Sequence, residues 1–247
     1  MRELNPQKYL EKYTGAPVDF FRFPGNYGDS LIWHGTKILL SSLGITERYV
    51  ELSSPVYSKI LFIDGGGNFV DYYIDIKDFL LKKANVYKEI VILPHTIFGE
   101  QQVEILNSVQ GDLTVFCREK ISAEFIEKKL THGKLYVWHD CAFYNSFEKI
   151  PGKGSGILNA FRIDKESVCE IPESNMDISY NGYAQKPLDE FLVMIRKYKE
   201  VHTDRLHVAI GAALLGKQVR LFPNSYYKNK AVFDYSLSKF PNVSFVE

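Results

Sequence analysis

Short apolar runs that stop at glycine or proline, with helix-period segments between them, constrain this chain more than any other feature. Asp19 to Phe23 runs into Pro24-Gly25, and Lys59 to Ile63 into Asp64-Gly65-Gly66-Gly67. Glu89 to Leu93 leads to Pro94-His95, Leu113 to Cys117 to Arg118, and Leu135 to Trp138 to His139-Asp140. Runs this short and uniformly apolar suit strands covered on both faces, as in a parallel sheet. Apolar residues recur at helical spacing in Ser30 to Leu43, Asp75 to Ala84, Gln101 to Ser108 and Ser122 to Leu130. Strands alternating with helices demand crossovers, so the expected class is α/β with a doubly wound sheet. Ligands of such sheets gather at the carboxyl ends of the strands, where the glycines, His95, Arg118 and Asp140 fall.

The 247 residues suffice for two modest units. The stretch from Pro151 to Gly156 is the most linker-like and predicts a division into residues 1–150 and 151–247. Beyond it, the pattern predicts a strand over Gly156 to Arg162, helices over Leu188 to Glu200 and Asp204 to Leu215, and a strand over Gln218 to Phe222. Gly216 reads as the cap closing the second of these helices. Lys plus Arg equals Asp plus Glu at 30 each, a balance that argues against a nucleic-acid binder working by phosphate neutralisation. Cys117, Cys141 and Cys169 are widely spaced and form no metal or disulfide framework, so no metal site is expected. The first 17 residues hold no apolar signal core, and Val208 to Leu215 is too short to span a bilayer. A cytoplasmic location is expected, with peripheral contact at the inner membrane face left open.

Several positions carry the marks of an anion site. In Gly25-Asn26-Tyr27-Gly28-Asp29 a strand end meets a helix start, so the backbone N–H groups around Asn26, Gly28 and Asp29 can face a ligand. The alternative is a turn with Asp29 as a plain helix cap. Gly66, Gly67 and Asn68 follow another strand, but Gly65-x-Gly67-x-x-Val70 lacks the third glycine of a dinucleotide fingerprint. In Thr203-Asp204-Arg205-Leu206-His207, Thr203 or Asp204 can cap a helix whose first turn then holds Arg205 and His207. Arginine there can grip a carboxylate or phosphate bidentately, and histidine can move a proton near neutral pH. Arg118 is a second candidate clamp, or else a surface ion pair. Asp140 can orient a histidine or meet a sugar hydroxyl, and Arg162 with Asp164 can be a buried pair or a substrate contact. Tyr227 and Lys228 combine a ring with a cation, suited to a sugar platform or else to a solvated loop.

Taken in order, these segments resemble the polysaccharide pyruvyl transferase family. The matching pieces are Gly25-Asn26-Tyr27-Gly28-Asp29, Asp64-Gly65-Gly66-Gly67-Asn68, Leu93-Pro94-His95-Thr96, Arg118-Glu119-Lys120-Ile121-Ser122 and His139-Asp140-Cys141-Ala142-Phe143. Phe161-Arg162-Ile163-Asp164-Lys165-Glu166, Thr203-Asp204-Arg205-Leu206-His207 and Tyr227-Lys228-Asn229-Lys230 complete the set. The resemblance implies two Rossmann-like halves facing a cleft, similar to a GT-B glycosyltransferase. It implies phosphoenolpyruvate as donor, a glycan or lipid-linked oligosaccharide as acceptor, a pyruvate ketal as product, and no cofactor. Arg205 and Arg118 would then hold the donor and His207 would move the proton, with Asp140 or His95 assisting. The chain departs from the family pattern at His95 and Thr96, where glutamine and serine are usual. His95 then either takes an acid/base role or replaces a hydrogen bond. A nucleotide-sugar glycosyltransferase and a non-catalytic carbohydrate-binding module are the rival readings.

Overall fold

The computed structural model describes residues 2–179 and 188–247. It divides into two compact units, Met1–Pro24 with Thr36–Cys141, and Gly25–Gly35 with Ala142–Glu247. The division predicted at residue 150 thus falls between Cys141 and Ala142, and the first glycine loop groups with the second unit.

The first unit opens with α1 (Pro6–Leu10), capped by the Asn5 side chain. Next come β1 (Pro17–Phe21), α2 (Tyr27–Ser42), β2 (Thr46–Val50), β3 (Ile60–Ile63) and β4 (Gly66–Phe69). Helix α2 starts among the residues of the second unit. α3 (Asp75–Lys83), β5 (Glu89–Ile97), α4 (Glu100–Ser108), β6 (Asp112–Cys117), α5 (Lys120–Glu127) and β7 (Lys134–Val137) follow. The strands pair in parallel in the order β2-β1-β3-β5-β6-β7, with β4 also on β5. Chain direction across the sheet reverses at β1, which places the strand ends of β1 and β3 at the topological switch point. Phe62, Ile63, Val91, Ile92, Val115 and Phe116 are fully buried, as central strands covered by helices require. Phe79 of α3 stacks on Phe21 of β1, ring centroids 3.8 Å apart.

The second glycine run is not a loop before a helix. Gly66 has φ of +148°, and Gly66 to Phe69 pairs alongside His95 to Ile97 of β5 as a short strand. A backbone bent that way favours glycine. The next helix, α3, starts only at Asp75, so the context of a dinucleotide fingerprint is absent.

The second unit adds β8 (Ile157–Asn159), α6 (Leu188–Arg196), β9 (Glu200–Thr203), α7 (Leu206–Leu214), β10 (Gln218–Leu221), α8 (Lys228–Tyr235) and β11 (Val243–Phe245). Its sheet is parallel, in the order β11-β10-β9-β8. Two elements depart from expectation. The helix predicted to reach Glu200 ends at Arg196, because Glu200 to Thr203 is β9, one of two interior strands of that sheet. The stretch read as a loop at Lys228-Asn229-Lys230 is the start of α8. Gly216 closes α7 as predicted, with φ of +77°. Its N–H donates to the Ala213 carbonyl and that of Lys217 to the Ala212 carbonyl, the paired bonds of a Schellman cap.

Candidate active site

Three parallel strands of the second unit end beside polar residues, charged at two of them. β8 leads into Phe161-Arg162, β9 into Asp204-Arg205 and β10 into Pro223-Asn224. Parallel register brings these ends side by side. Arg205 is not in the first turn of α7 but at its N-cap, in extended backbone, with its N–H on Thr203 Oγ1 at 2.9 Å. His207 is the second residue of the helix. No side chain caps α7 and its first turn holds no acid, so the positive end of the helix stands beside Arg205 and His207 uncompensated by α7 itself.

The glycine loop packs here. The Asn26 side chain accepts the Gly28 N–H at 2.8 Å, while Asp29 Oδ2 accepts the Asn26 N–H at 2.8 Å. Asn26 is therefore the cap, and Asp29, read above as a plain cap, closes a reciprocal capping box from within the helix. These two N–H groups are spent inside the loop. Gly28 serves differently: a Cβ there would lie 2.8 Å from His207 Cβ and 3.1 Å from Nδ1. Its bareness lets α2 and α7 meet at the histidine.

Both arginines are framed by carboxylates. Arg205 Nε meets Asp177 Oδ1 at 2.9 Å and its Nη2 meets Oδ2 at 2.5 Å, while Nη1 stands 3.1 Å from Asp164 Oδ2. Arg162 grips Asp164 through Nε and Nη2 at 2.7 and 3.1 Å, and Glu166 through Nη1 at 2.6 Å. Lys228 Nζ closes on Glu166 at 2.6 Å. Arg162 is buried and pairs with a half-buried Asp164; Lys228 is buried rather than on a solvated loop, and Tyr227 sits at the start of α8. Burial alone would push the Asp164 carboxyl up, but the Arg162 hydrogen bonds and the two guanidinium charges hold it at about 2. Asp204 goes the other way. It is wholly buried and accepts the Arg162 N–H at Oδ1, while Oδ2 has no hydrogen-bond partner among the described residues. Burial lifts it to about 6 against the pull of that N–H and of Arg162 and Arg205.

The first unit holds a separate cluster at the ends of β5 and β6. Arg118 is 1% exposed, not a surface residue. Its Nε donates to Thr96 Oγ1 at 2.8 Å and its Nη1 to Asp140 Oδ2 at 2.7 Å, with Asp140 fully buried. His95 lies 3.2 Å through Nδ1 from the Asp64 carbonyl and 3.2 Å through Nε2 from Asn68 Oδ1. Burial, then the Arg118 charge, push its pKa down to about 3. A neutral, enclosed imidazole suits the hydrogen-bonding role better than proton transfer. Gly66 pairs with His95 across β4 and β5, and Gly67 follows it on β4. Burial raises the Cys117 and Cys141 thiols, which leaves them un-ionised and unreactive at neutral pH.

The sequence profile of the polysaccharide pyruvyl transferase family matches residues 26–226, from the glycine loop to the start of α8. The chain belongs to the polysaccharide pyruvyl transferase family. Among relatives in this family's sphere, a Bacillus subtilis (strain 168) protein named "Putative pyruvyl transferase EpsO" is 25% identical, covering 90% of this chain and 85% of that one. The crystal structure of a functionally uncharacterized protein from Klebsiella pneumoniae subsp. pneumoniae NTUH-K2044 is 31% identical, with a TM-score of 0.80 over 98% of this chain and 96% of that one. The family match thus covers the buried Arg118–Asp140 pair and the Arg205–His207 turn alike. Asp177, Glu166 and Asp204 are the residues that sequence reasoning missed as site components. Glu166 stands four residues from Arg162, a usable signal, whereas nothing in the sequence ties Asp177 to Arg205.

Proposed function

We propose that this protein transfers pyruvate from phosphoenolpyruvate onto a sugar of a surface polysaccharide or its precursor, forming a ketal. The donor carries a carboxylate and a phosphate, so it needs more than one cationic anchor. Arg205, Arg162 and the uncapped start of α7 supply these within one unit, and this juxtaposition with His207 is the observation that carries the reading. In the reaction the donor's methylene carbon gains a proton. One sugar hydroxyl adds to the adjacent carbon and releases its proton, and phosphate leaves with the C–O bonding pair. A second hydroxyl then adds to the same carbon and releases its proton. His207 supplies or collects a proton in these steps. Arg118, Asp140 and His95 support the first unit's strand ends rather than touch the donor. The chemistry calls on no redox or organic cofactor, and a cytoplasmic setting goes with the reading. Both units are taken as Rossmann-like halves of GT-B type. No helix among the described residues is long and apolar enough to cross a membrane.

Thermal stabilisation tests the donor, since a ligand that binds only the folded state raises Tm. Phosphoenolpyruvate should raise Tm, and Arg205→Ala should weaken the shift. His207→Ala should fold normally and lose turnover. A shift with a nucleotide sugar and none with phosphoenolpyruvate would move the assignment to glycosyl transfer.

A further inference from the structure

Arg205 and Arg162 stand in an unbroken alternation of charge: Asp177, Arg205, Asp164, Arg162, Glu166, Lys228, each in contact with the next. Asp164 Oδ2 is shared, 3.1 Å from Arg205 Nη1 and 3.1 Å from Arg162 Nη2, so two guanidinium groups lie close without facing one another unscreened.

Asp177 takes Arg205 by its side edge, through Nε and Nη2. A guanidinium has five N–H donors in a rigid fork. Among the described residues Asp177 uses the side edge, so the end edge, Nη1 with the second Nη2 hydrogen, faces away from Asp177, with Asp164 Oδ2 3.1 Å from Nη1. Asp177 is itself pinned. Its Oδ2 accepts the Ile163 N–H at 3.2 Å, and the Met176 N–H donates to the Asn159 carbonyl at 2.8 Å. Asn175 exchanges reciprocal bonds with the Phe161 backbone at 2.7 and 3.0 Å. A carboxylate held by its own backbone segment in this way is a fixed bracket, not a stand-in ready to give way to a ligand.

We infer that Asp177 is a positioning residue for anion capture: it holds Arg205 side-on so that the end edge of the guanidinium meets the donor's carboxylate or phosphate. This rests on the donor reading above. A free Arg205 side chain would have to be ordered on binding, and the bracket removes that cost beforehand.

The test uses the full chain as wild type, Asp177→Asn, Arg205→Lys and the double variant. Phosphoenolpyruvate binding, donor and acceptor KM, and Tm are measured for each. Asp177→Asn should raise the donor Kd and KM about tenfold or more, the scale of a lost charge-assisted contact. Acceptor KM should stay near wild type, while Tm should fall because the broken pair is buried. The double variant should be no worse than Arg205→Lys alone, because Asp177 acts only through Arg205. Tighter donor binding in Asp177→Asn would make the carboxylate a displaceable stand-in and overturn the inference. So would an unchanged donor KM, a parallel rise in acceptor KM, or additive losses. If Asp177→Asn does not fold, Asp177→Glu, which keeps the charge but shifts the bracket by a methylene, is held to the same outcomes. Wild type that binds no phosphoenolpyruvate overturns the donor reading itself, and this inference with it.

Discussion

Gly28 and His207 are in backbone-to-side-chain contact that leaves no room for a methyl group: a Cβ on Gly28 would stand 2.8 Å from His207 Cβ and 3.0 Å from Asn26 Oδ1. One added carbon would push against both the histidine and the cap of α2.

Gly28→Ala should therefore displace His207 more than it unfolds the protein. The capping bond from Gly28 N–H to Asn26 is at stake as well, a contact of about 1 kcal/mol. The expected outcome is a drop in kcat of tenfold or more with a Tm loss of only a few degrees. Activity at wild-type level would show that the histidine's placement does not depend on this contact.

The Arg118–Asp140 pair should behave as a buried unit. Both side chains are essentially inaccessible, and removing one partner leaves the other charged in a dry environment. Asp140→Ala should cost about 3–5 kcal/mol in urea unfolding. Arg118→Leu with Asp140→Ala should cost clearly less than the two single losses added together. An Asp140→Asn variant of normal stability and no turnover would instead assign Asp140 to the chemistry.

Asp204 should make stability depend on pH in the sense opposite to a salt-bridged acid. Its folded pKa of about 6 lies above the ordinary 3.8, so the folded state binds this proton more tightly than the unfolded chain. The ionised form is the penalised one. Below the ordinary value Asp204 contributes nothing to the difference. As pH rises through 4 to 6 the folded state loses stability, on the order of 2–3 kcal/mol once Asp204 is fully ionised. Unfolding measured against pH for wild type and Asp204→Asn should show this decline in wild type only. Parallel curves would place the titration elsewhere.

The strands of the first unit were legible because burial on both faces demands continuous apolar runs, and β3, β6 and β7 fall where those runs lie. The close of α7 was legible for an equally local reason: Gly216 can adopt the left-handed turn at no steric cost. β9 was not, since Glu200-Val201-His202-Thr203 carries only one strongly apolar residue and owes its place to pairing with β8 and β10. α8 was hidden because a Tyr-Tyr-Lys-Asn-Lys stretch has weak helical signals of its own, and Lys228 turns inward to a glutamate 62 residues earlier.

The same line divides the site. By itself the sequence determined the family, the parallel α/β class, and the presence of Arg205 and His207 on either side of Leu206, because these are carried by residue type and short spacing. Only the tertiary structure decided that Gly28 abuts His207, that Arg118 is sealed inside with Asp140, and that Asp177 brackets Arg205. Those pairings join residues 22 to 179 positions apart. They depend on where parallel strand ends are brought together, which no local preference of the chain encodes.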